Sequence, residues 1–314
     1  MSRPLISVIV PTLNREFEVR RFLNSLRQQE YRPIQCIIVD ASKDDVRWTA
    51  KEVLGPDIEL IWVKCNPGLT IQRNFGLQHA TGKYIFYFDD DIVLEQHFFD
   101  PIVDEFESPA NTSVGVIYGT ITNNAPRVFT KLHQRIHYSV GKAIAYCFML
   151  PRHGNGKFQL SGMPTFVIGD SEQKFTECMP GGLTGYRRSV FDTFRFDERL
   201  STYSYMEDDD TGYRISRIWK ILYTPRARCQ HLHTPNARLK HDVLGKMLMV
   251  NHHYLFIKNF PKDLPHRFAH IISLLGYPLS LLWALNIPRF RGSIVGLWSC
   301  LTGRDPLFRQ VLHP

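Results

Sequence analysis

Three consecutive carboxylates, Asp89-Asp90-Asp91, close the apolar run Tyr84-Ile85-Phe86-Tyr87-Phe88. Like charges set side by side repel, and a cation or a group of donors is the usual compensation. The run before them is aromatic and β-branched and follows a Gly82-Lys83 turn, which is the pattern of a buried strand. The triplet therefore stands at the carboxyl end of a strand, where open α/β sheets bind ligands. Hard oxygen donors in that position suit Mg²⁺ or Mn²⁺ holding a diphosphate. A solvated acidic turn is the other reading of the triplet taken alone.

A second acidic set, Glu207-Asp208-Asp209-Asp210, leads into Tyr213, Arg214, Ile218 and Trp219 at helical spacing. Carboxylates in a first turn stabilise a helix through its dipole, and one of them is also well placed to serve as a general base. Ahead of this set, Pro180-Gly181-Gly182 allows the backbone to approach a ligand closely. Beyond it lies Cys229-Gln230-His231-Leu232-His233. In an extended chain, alternation puts His231 and His233 on one face, where they suit a metal or a diphosphate. Zinc on Cys229, His231 and His233 is a rival reading, but no fourth nearby Cys or His completes a usual structural spacing.

The elements that must carry these groups read as alternating strands and helices. Residues 5–10 are apolar on both faces, as in a central parallel strand, and Pro11-Thr12-Leu13-Asn14 ends it. Asn14 is the expected N-cap of a helix over 15–29, where Val19, Phe22, Leu23 and Leu26 recur at helical spacing. Strands follow at 35–39, ending in Asp40-Ala41-Ser42, and at 59–63. A helix over 70–80 then carries Arg73 and Asn74. Right-handed crossovers in such a β-α-β order gather the strand ends on one edge. A helix is expected over 94–107, a strand over 114–121, a basic amphipathic helix over 126–150 and a short strand over 221–224. Gly154-Asn155-Gly156-Lys157 reads as a turn in a loop able to move over the ligand.

At 314 residues, with 44% hydrophobic and 22% charged, the chain has the make-up of a globular protein with a sizeable core. Its net charge of +8 favours acidic partners. The basic residues are spread without a nucleic-acid motif, so no nucleic-acid partner is expected. Cys36, Cys65, Cys147, Cys178, Cys229 and Cys300 lack paired spacings and read as free thiols of a reducing compartment. The first residues pass into Leu5-Ile6-Ser7-Val8-Ile9-Val10 and Pro11 too promptly for a signal peptide, which predicts a cytoplasmic active domain.

In order and spacing, three stretches resemble the nucleotide-sugar half of family 2 glycosyltransferases with the GT-A fold. They are Ser7 to Asn14, Val39 to Ser42, and Arg73-Asn74 with Gly76, Ala80, Gly82, Tyr84 and Asp89 to Asp91. The resemblance covers the first third of the chain. It implies an α/β fold with a GT-A-type mixed sheet flanked by helices, its nucleotide-binding half Rossmann-like. It also implies that Pro11, Thr12, Asn14 and Asp40 line a nucleoside pocket, with Asp40 accepting from the base edge. Arg73 is then expected at the phosphates or base, Asp89 toward the ribose, Asp91 on the metal, and Asp90 among the donor-binding acids. Asp40-Ala41-Ser42 departs from the Asp-Asp-Gly-Ser frequent in the family. The second acidic set resembles the family's Glu-Asp-x-Asp motif followed by Arg, here Glu207, Asp208, Asp210 and Arg214. That implies Asp208 as base, with Gly181, Gly182 and Glu207 on the acceptor side. A metal-ligating His is carried to His231 first and His233 second.

The expectation is an inverting, Mg²⁺- or Mn²⁺-dependent transferase moving sugar from a nucleotide-diphosphate sugar to a glycan or lipid-linked acceptor hydroxyl. A nucleotidyltransferase or a catalytically silent nucleotide- or membrane-binding relative is the alternative. Residues 1–240 are expected to form the transferase domain and 241–314 a helical C-terminal region. There Phe268 to Ile287 and Gly292 to Leu301 are strongly apolar. A single span would place Arg289, Arg291, Arg304 and Arg309 opposite the enzyme, against the positive-inside tendency. The stretches 126–150 and 268–302 are therefore read as peripheral membrane contacts at a cytosolic face, with Arg267, Arg289 and Arg291 at headgroup level. Packing of these helices on the enzyme domain is the alternative.

Overall fold

The computed structural model describes residues 3–43, 52–123, 132–167, 169, 171–200, 204–234 and 239–308. The chain forms two compact units, one of Met1–Ala125 and Ile168–Arg238, the other of Pro126–Val167 and Leu239–Pro314. In chain order the strands are β1 (Ile6–Thr12), β2 (Ile34–Asp40), β3 (Ile58–Lys64), β4 (Tyr84–Phe88), β5 (Ile92–Leu94), β6 (Val114–Ile121), β7 (Arg152–His153), β8 (Thr165–Phe166), β9 (Lys174–Thr176), β10 (Leu183–Arg187) and β11 (Lys220–His231). The helices are α1 (Glu16–Arg27), α2 (Leu69–His79), α3 (Asp100–Glu107), α4 (Leu132–Cys147), α5 (Glu207–Ser216), α6 (His241–Asn259), α7 (Leu264–Trp283) and α8 (Ile287–Thr302).

Among the described residues, the first unit holds a mixed sheet of nine strands in the order β3-β2-β1-β4-β10-β6-β11-β5, with β9 also paired to β11. Every residue of β1, β2 and β4 is buried, as their near-continuous apolar runs require of strands covered on both faces, and the buried Ser7 hydroxyl donates to Gln35 Oε1 at 2.7 Å. β3, β2, β1 and β4 run parallel, so their carboxyl ends, with Thr12, Asp40, Lys64 and Asp89, share one edge. β10 is antiparallel to β4, with Leu183 opposite Phe88, which brings Gly181 and Gly182 to the same edge. β11 runs parallel to β6 through an irregularity between Tyr223 and Arg228, then pairs antiparallel with β5 so that His231 faces Ile92.

The structure corrects several expectations. The predicted helix over 94–107 begins only at Asp100, because Ile92–Leu94 is drawn into the sheet by β11 and His97 adopts φ +59°. Asn14 does not cap α1. It sits at φ +54°, with Arg15 at the cap position, and its N–H donates to Ser42 Oγ at 2.7 Å. The strand expected over 221–224 extends to His231. The helix expected over 126–150 runs from Leu132 to Cys147; the part before Leu132 lies outside the described residues. The Gly154–Lys157 turn is tied down, with Gly154 N–H donating to Phe166 O at 2.9 Å and Lys157 N–H to Thr165 Oγ1 at 3.0 Å.

In the second unit, α6 and α8 cross at glycines. A Cβ at Gly292 would collide with Asp242 O, and one at Gly245 with Arg289 O, so only hydrogen at these positions permits the approach. α6 and α7 are joined by histidines. His252 Nε2 is 3.0 Å from Ser273 Oγ, and His253 Nδ1 is 2.9 Å from His270 Nε2. The His270 ring stacks on Phe256 at 3.9 Å between centroids. Burial first, and neighbouring charge second, hold His270 down to about 3 and His253 to about 4, and His252 well below its usual value.

These rings take up protons far more readily when the chain unfolds, so their stabilising effect is complete above about pH 6.5 and is lost as pH falls toward 4 and 3. Each such histidine contributes a slope of roughly 1.4 kcal/mol per pH unit within that window. The raised carboxyls of Glu207 and Asp90 act in the opposite sense over the same range but are common to wild type and His270→Phe. In urea unfolding the stability of wild type relative to His270→Phe is therefore expected to decline from pH 7.5 to 5. A difference that stays level across this range would contradict the assignment.

Candidate functional site

Past the end of β4 the three aspartates lie in a turn and meet different partners. Asp90 turns inward. It is 4% exposed, accepts from Thr12 Oγ1 at 2.8 Å and pairs with Arg15 Nη1 at 2.8 Å. Burial pushes its carboxyl up to about 6, against the pull of Arg15 and Thr12. Asp91 lies 3.0 Å from His231 Nε2 through Oδ1, and its Oδ2 accepts from both the N–H and the hydroxyl of Thr234 at 3.1 Å. Burial disfavours the Asp91 charge, but His231, Arg15 and Thr234 outweigh it and hold the carboxyl well below the usual range.

Asp89, Asp91 and His231 each present a ligand atom, all within 4.8 Å of one another. Two carboxylates and an imidazole form a donor set that Mn²⁺ accepts readily and Mg²⁺ accepts through its oxygens. The residues present thus fit a divalent cation. His233 is not part of this set. It lies beyond the end of β11 at φ +50°, so strand alternation does not place it, although its ring centroid is 3.9 Å from that of His231.

The ends of β1, β2 and β3 build a second corner. Thr12, Asp40 and Lys64 are register partners across the three strands. Asp40 is fully buried, accepts from Ser42 N–H at 2.8 Å and pairs with Lys64 Nζ at 2.7 Å. Lys64 also donates to Ser42 O at 3.0 Å. Pro11 lies opposite Val39 within the sheet. The Gln72 amide of α2 donates to Thr12 O at 2.9 Å and Val39 O at 2.8 Å, fixing the helix to both strand ends.

Arg73, one residue on, joins the two acidic clusters. Its guanidinium is buried, reaches Asp89 Oδ1 at 3.4 Å through Nη2 and makes a short ion pair with Glu207 Oε1 through Nη1. The rings of Phe196 and Tyr87 flank it at 5.5 and 6.0 Å. Burial pushes Glu207 up to about 7 even beside Arg73, and its Oε2 has no partner among the described residues. A Cβ at Gly181 would fall 2.6 Å from Glu207 Oε1, and one at Gly182 would overlap the Asp89 carboxylate. The glycine pair thus lies directly against the groups that Arg73 unites.

Glu207 opens α5, and Asp208 follows in its first turn, only part-buried. Its Oδ1 accepts from Asp209 N–H at 3.1 Å. The surrounding burial raises the Asp208 carboxyl, while Arg73 and the Gly181 backbone pull it down. Asp209 is buried, and burial with its acidic neighbours pushes it well up. Asp210 is held by Arg214 one turn later, at 2.7 and 3.0 Å, and serves the helix rather than the open face.

The structure therefore brings Arg73, Asp89, Asp91, Gly181, Gly182, Glu207 and His231 together, and gathers Pro11, Thr12, Asn14 and Asp40 at the adjoining strand ends. Sequence reasoning missed Arg15, Lys64, Gln72 and Thr234. Lys64 closes a strand parallel to the one ending in Asp40, and Gln72 neighbours Arg73, so both left a trace. Thr234 left none, because its contact depends on the turn that follows β11.

A family model described as Glycosyl transferase family 2 matches residues 7–195, more than half of the chain. Over 116 residues, 36% of the chain, it is 33% identical to Glycosyltransferase GlyA of Streptococcus pneumoniae, a match that spans 17% of that relative. Over 92 residues, 28% of the chain, it is 29% identical to the GalNAc(5)-diNAcBac-PP-undecaprenol beta-1,3-glucosyltransferase of Campylobacter jejuni, spanning 30% of it. The chain thus spans less than a third of either relative. Its fold resembles that of the mannosyltransferase PcManGT from Pyrobaculum calidifontis, solved in complex with GDP-Man and Mn2+. That likeness has a TM-score of 0.56 at 17% identity and covers 99% of this chain and 79% of that one. The mixed sheet with its flanking helices is of the GT-A type.

Proposed function

The chain belongs to glycosyl transferase family 2, and we propose on that footing that it moves a sugar from a nucleotide-diphosphate sugar to an acceptor hydroxyl with inversion. The observation that carries this reading is the placement of Arg73 between Asp89 of the first acidic cluster and Glu207 of the second. A donor-binding edge and a candidate base helix thereby adjoin within one unit.

In this reading Pro11, Thr12, Asn14 and Asp40 support the nucleoside, with Lys64 paired to Asp40 beside the base edge. Arg73 orients the donor between the two clusters, and Gly181 and Gly182 leave room for the acceptor beside Glu207. Asp208 accepts the proton of the acceptor hydroxyl as its oxygen bonds to the anomeric carbon. The bond from that carbon to the diphosphate oxygen breaks on the opposite side, and one displacement gives one inversion. A divalent cation, Mg²⁺ or Mn²⁺, held by Asp89, Asp91 and His231 with His233 nearby, would offset the charge growing on the leaving diphosphate. Asp90 acts indirectly by holding Arg15 and Thr12 behind the donor groups.

The matched relatives support a biosynthetic glycan or lipid-linked acceptor, and a location at the cytosolic face of a membrane belongs to the same reading. No helix among the described residues is long and apolar enough to cross a membrane. Thermal unfolding with UDP, GDP, dTDP or CDP, each with and without Mn²⁺, tests the donor side. One nucleotide is expected to raise the midpoint most, and more so with Mn²⁺, since ligand at a hundred times Kd adds about 2.7 kcal/mol of stability. Absence of any cation-dependent shift across the four nucleotides would overturn the reading.

A further inference from the structure

The charge of the chain is unevenly divided. The unit of residues 126–167 and 239–314 contains 15 Lys and Arg against 3 Asp and no Glu, a net +12, whereas the rest of the chain, with 23 basic and 27 acidic residues, is at −4. The excess positive charge of the whole protein thus belongs to the unit that lacks the acidic clusters.

The same unit carries an uncovered apolar stripe. Leu264, Phe268, Ile271, Leu275, Leu279 and Leu282 follow one another at intervals of three and four along α7, and each is between 45% and 81% exposed. They lie on one helix face over about 27 Å at 1.5 Å per residue. From Phe268 to Leu285 every exposed residue is apolar. Trp298 and Leu301 of α8, 62% and 73% exposed, add to the apolar surface of the unit. A surface of this kind marks an interaction site rather than ordinary scatter.

The opposite face of α7 is committed. His270 and Ser273 are buried against α6 through His253 and His252, and α7 is not long and apolar enough to cross a bilayer. The stripe therefore suits contact along a surface. Arg267 stands exposed near the start of the stripe and Arg291 shortly beyond its end. Such a helix, apolar outward and flanked by guanidinium groups, matches a surface whose interior is hydrocarbon and whose rim is anionic. A second copy of the same face would bring +12 against +12, which disfavours self-association as the cover.

We infer that the second unit docks on an anionic lipid surface, with the α7 stripe entering the interface and Arg267 and Arg291 meeting lipid phosphates. This deepens the partner side of the proposed function and rests on that reading only for where the acceptor lies. Docking itself is measured without donor, cation or acceptor, so its failure and the failure of sugar transfer are separate results.

The test is flotation of the full chain with vesicles of phosphatidylcholine alone and of phosphatidylcholine mixed with phosphatidylglycerol. The bound fraction is expected to be roughly tenfold greater on the anionic vesicles at low salt, and to fall as salt screens the headgroups. Leu275→Glu with Leu279→Glu is expected to reduce binding at least about tenfold while circular dichroism melting stays as in wild type, since both positions face outward. Arg267→Gln with Arg291→Gln is expected to narrow the difference between the two vesicle types. Equal binding to neutral and anionic vesicles overturns the inference, as does wild-type binding by the Leu275→Glu, Leu279→Glu variant. A wild-type chain that stays in solution with both lipids, or one that instead forms a dimer abolished by the Leu275→Glu, Leu279→Glu change, also overturns it.

Discussion

Asp208→Asn is expected to lower sugar transfer by roughly a thousandfold, within the range that a positioned general base supplies. Asparagine matches aspartate in shape and can still accept from Asp209 N–H, so the first turn of α5 is expected to form as before. What it cannot do is take the acceptor proton. The neighbouring carboxylates do not replace it: Asp210 is engaged by Arg214, Glu207 by Arg73, and Asp209 is buried. Initial rates at saturating donor, compared with donor binding measured separately, provide the readout. Binding is expected to change little while turnover collapses. Transfer within a few-fold of wild type would remove Asp208 from the base role and leave the acceptor side without an assigned proton acceptor.

Arg73→Met is expected to damage both stability and transfer. Removing one member of a fully buried ion pair leaves the other charge without compensation, at a cost of about 3–5 kcal/mol. Glu207 is that other member, and burial already pushes its carboxyl up to about 7 with Arg73 in place. Without the guanidinium its proton affinity rises further. A carboxyl whose folded-state value lies above its unfolded value stabilises most at low pH and loses that contribution as pH rises through the folded value. The deficit of Arg73→Met in urea unfolding is therefore expected to be larger at pH 8 than at pH 5. Adding Glu207→Leu removes the stranded carboxyl and is expected to recover most of the stability, because apolar replacement of a buried pair is often neutral. Transfer is not expected to return, since the link between Asp89 and the helix that carries Asp208 is still missing. A single variant that loses less than about 1 kcal/mol, or a double variant that transfers sugar normally, would contradict the bridging role of Arg73.

Much of the strand-end edge is legible before any folding is considered. β1, β2 and β4 are short, mostly apolar runs with a polar residue at each carboxyl end, a pattern that depends only on neighbours along the chain. Parallel pairing then aligns those ends without further instruction, so Thr12, Asp40 and Asp89 fall on one edge. The acidic first turn of α5 is equally local. The apolar residues of 94–106 misled for the same reason. Local spacing assigns Leu94 and the segment before Asp100 to the helix, but the distant β11, whose Cys229 pairs with Leu94, claims Ile92–Leu94 as a strand.

What the amino-acid order determines by itself here is the set of chemical groups and the local elements that end in them: carboxylates after β4, carboxylates opening α5, a histidine pair after Cys229 and an apolar, basic-flanked tail. Tertiary structure alone decides which of these groups meet. It turns Asp90 toward Thr12 and Arg15 instead of the open edge, brings His231 and Thr234 onto Asp91 through the length and irregularity of β11, and sets Arg73 between Asp89 and Glu207. It also gathers residues 126–167 with the C-terminal helices. The reason is range: periodicity and capping act over a few residues. An ion pair such as Arg73 with Glu207 spans 134 positions, and it forms only because the sheet has already fixed where both backbones lie.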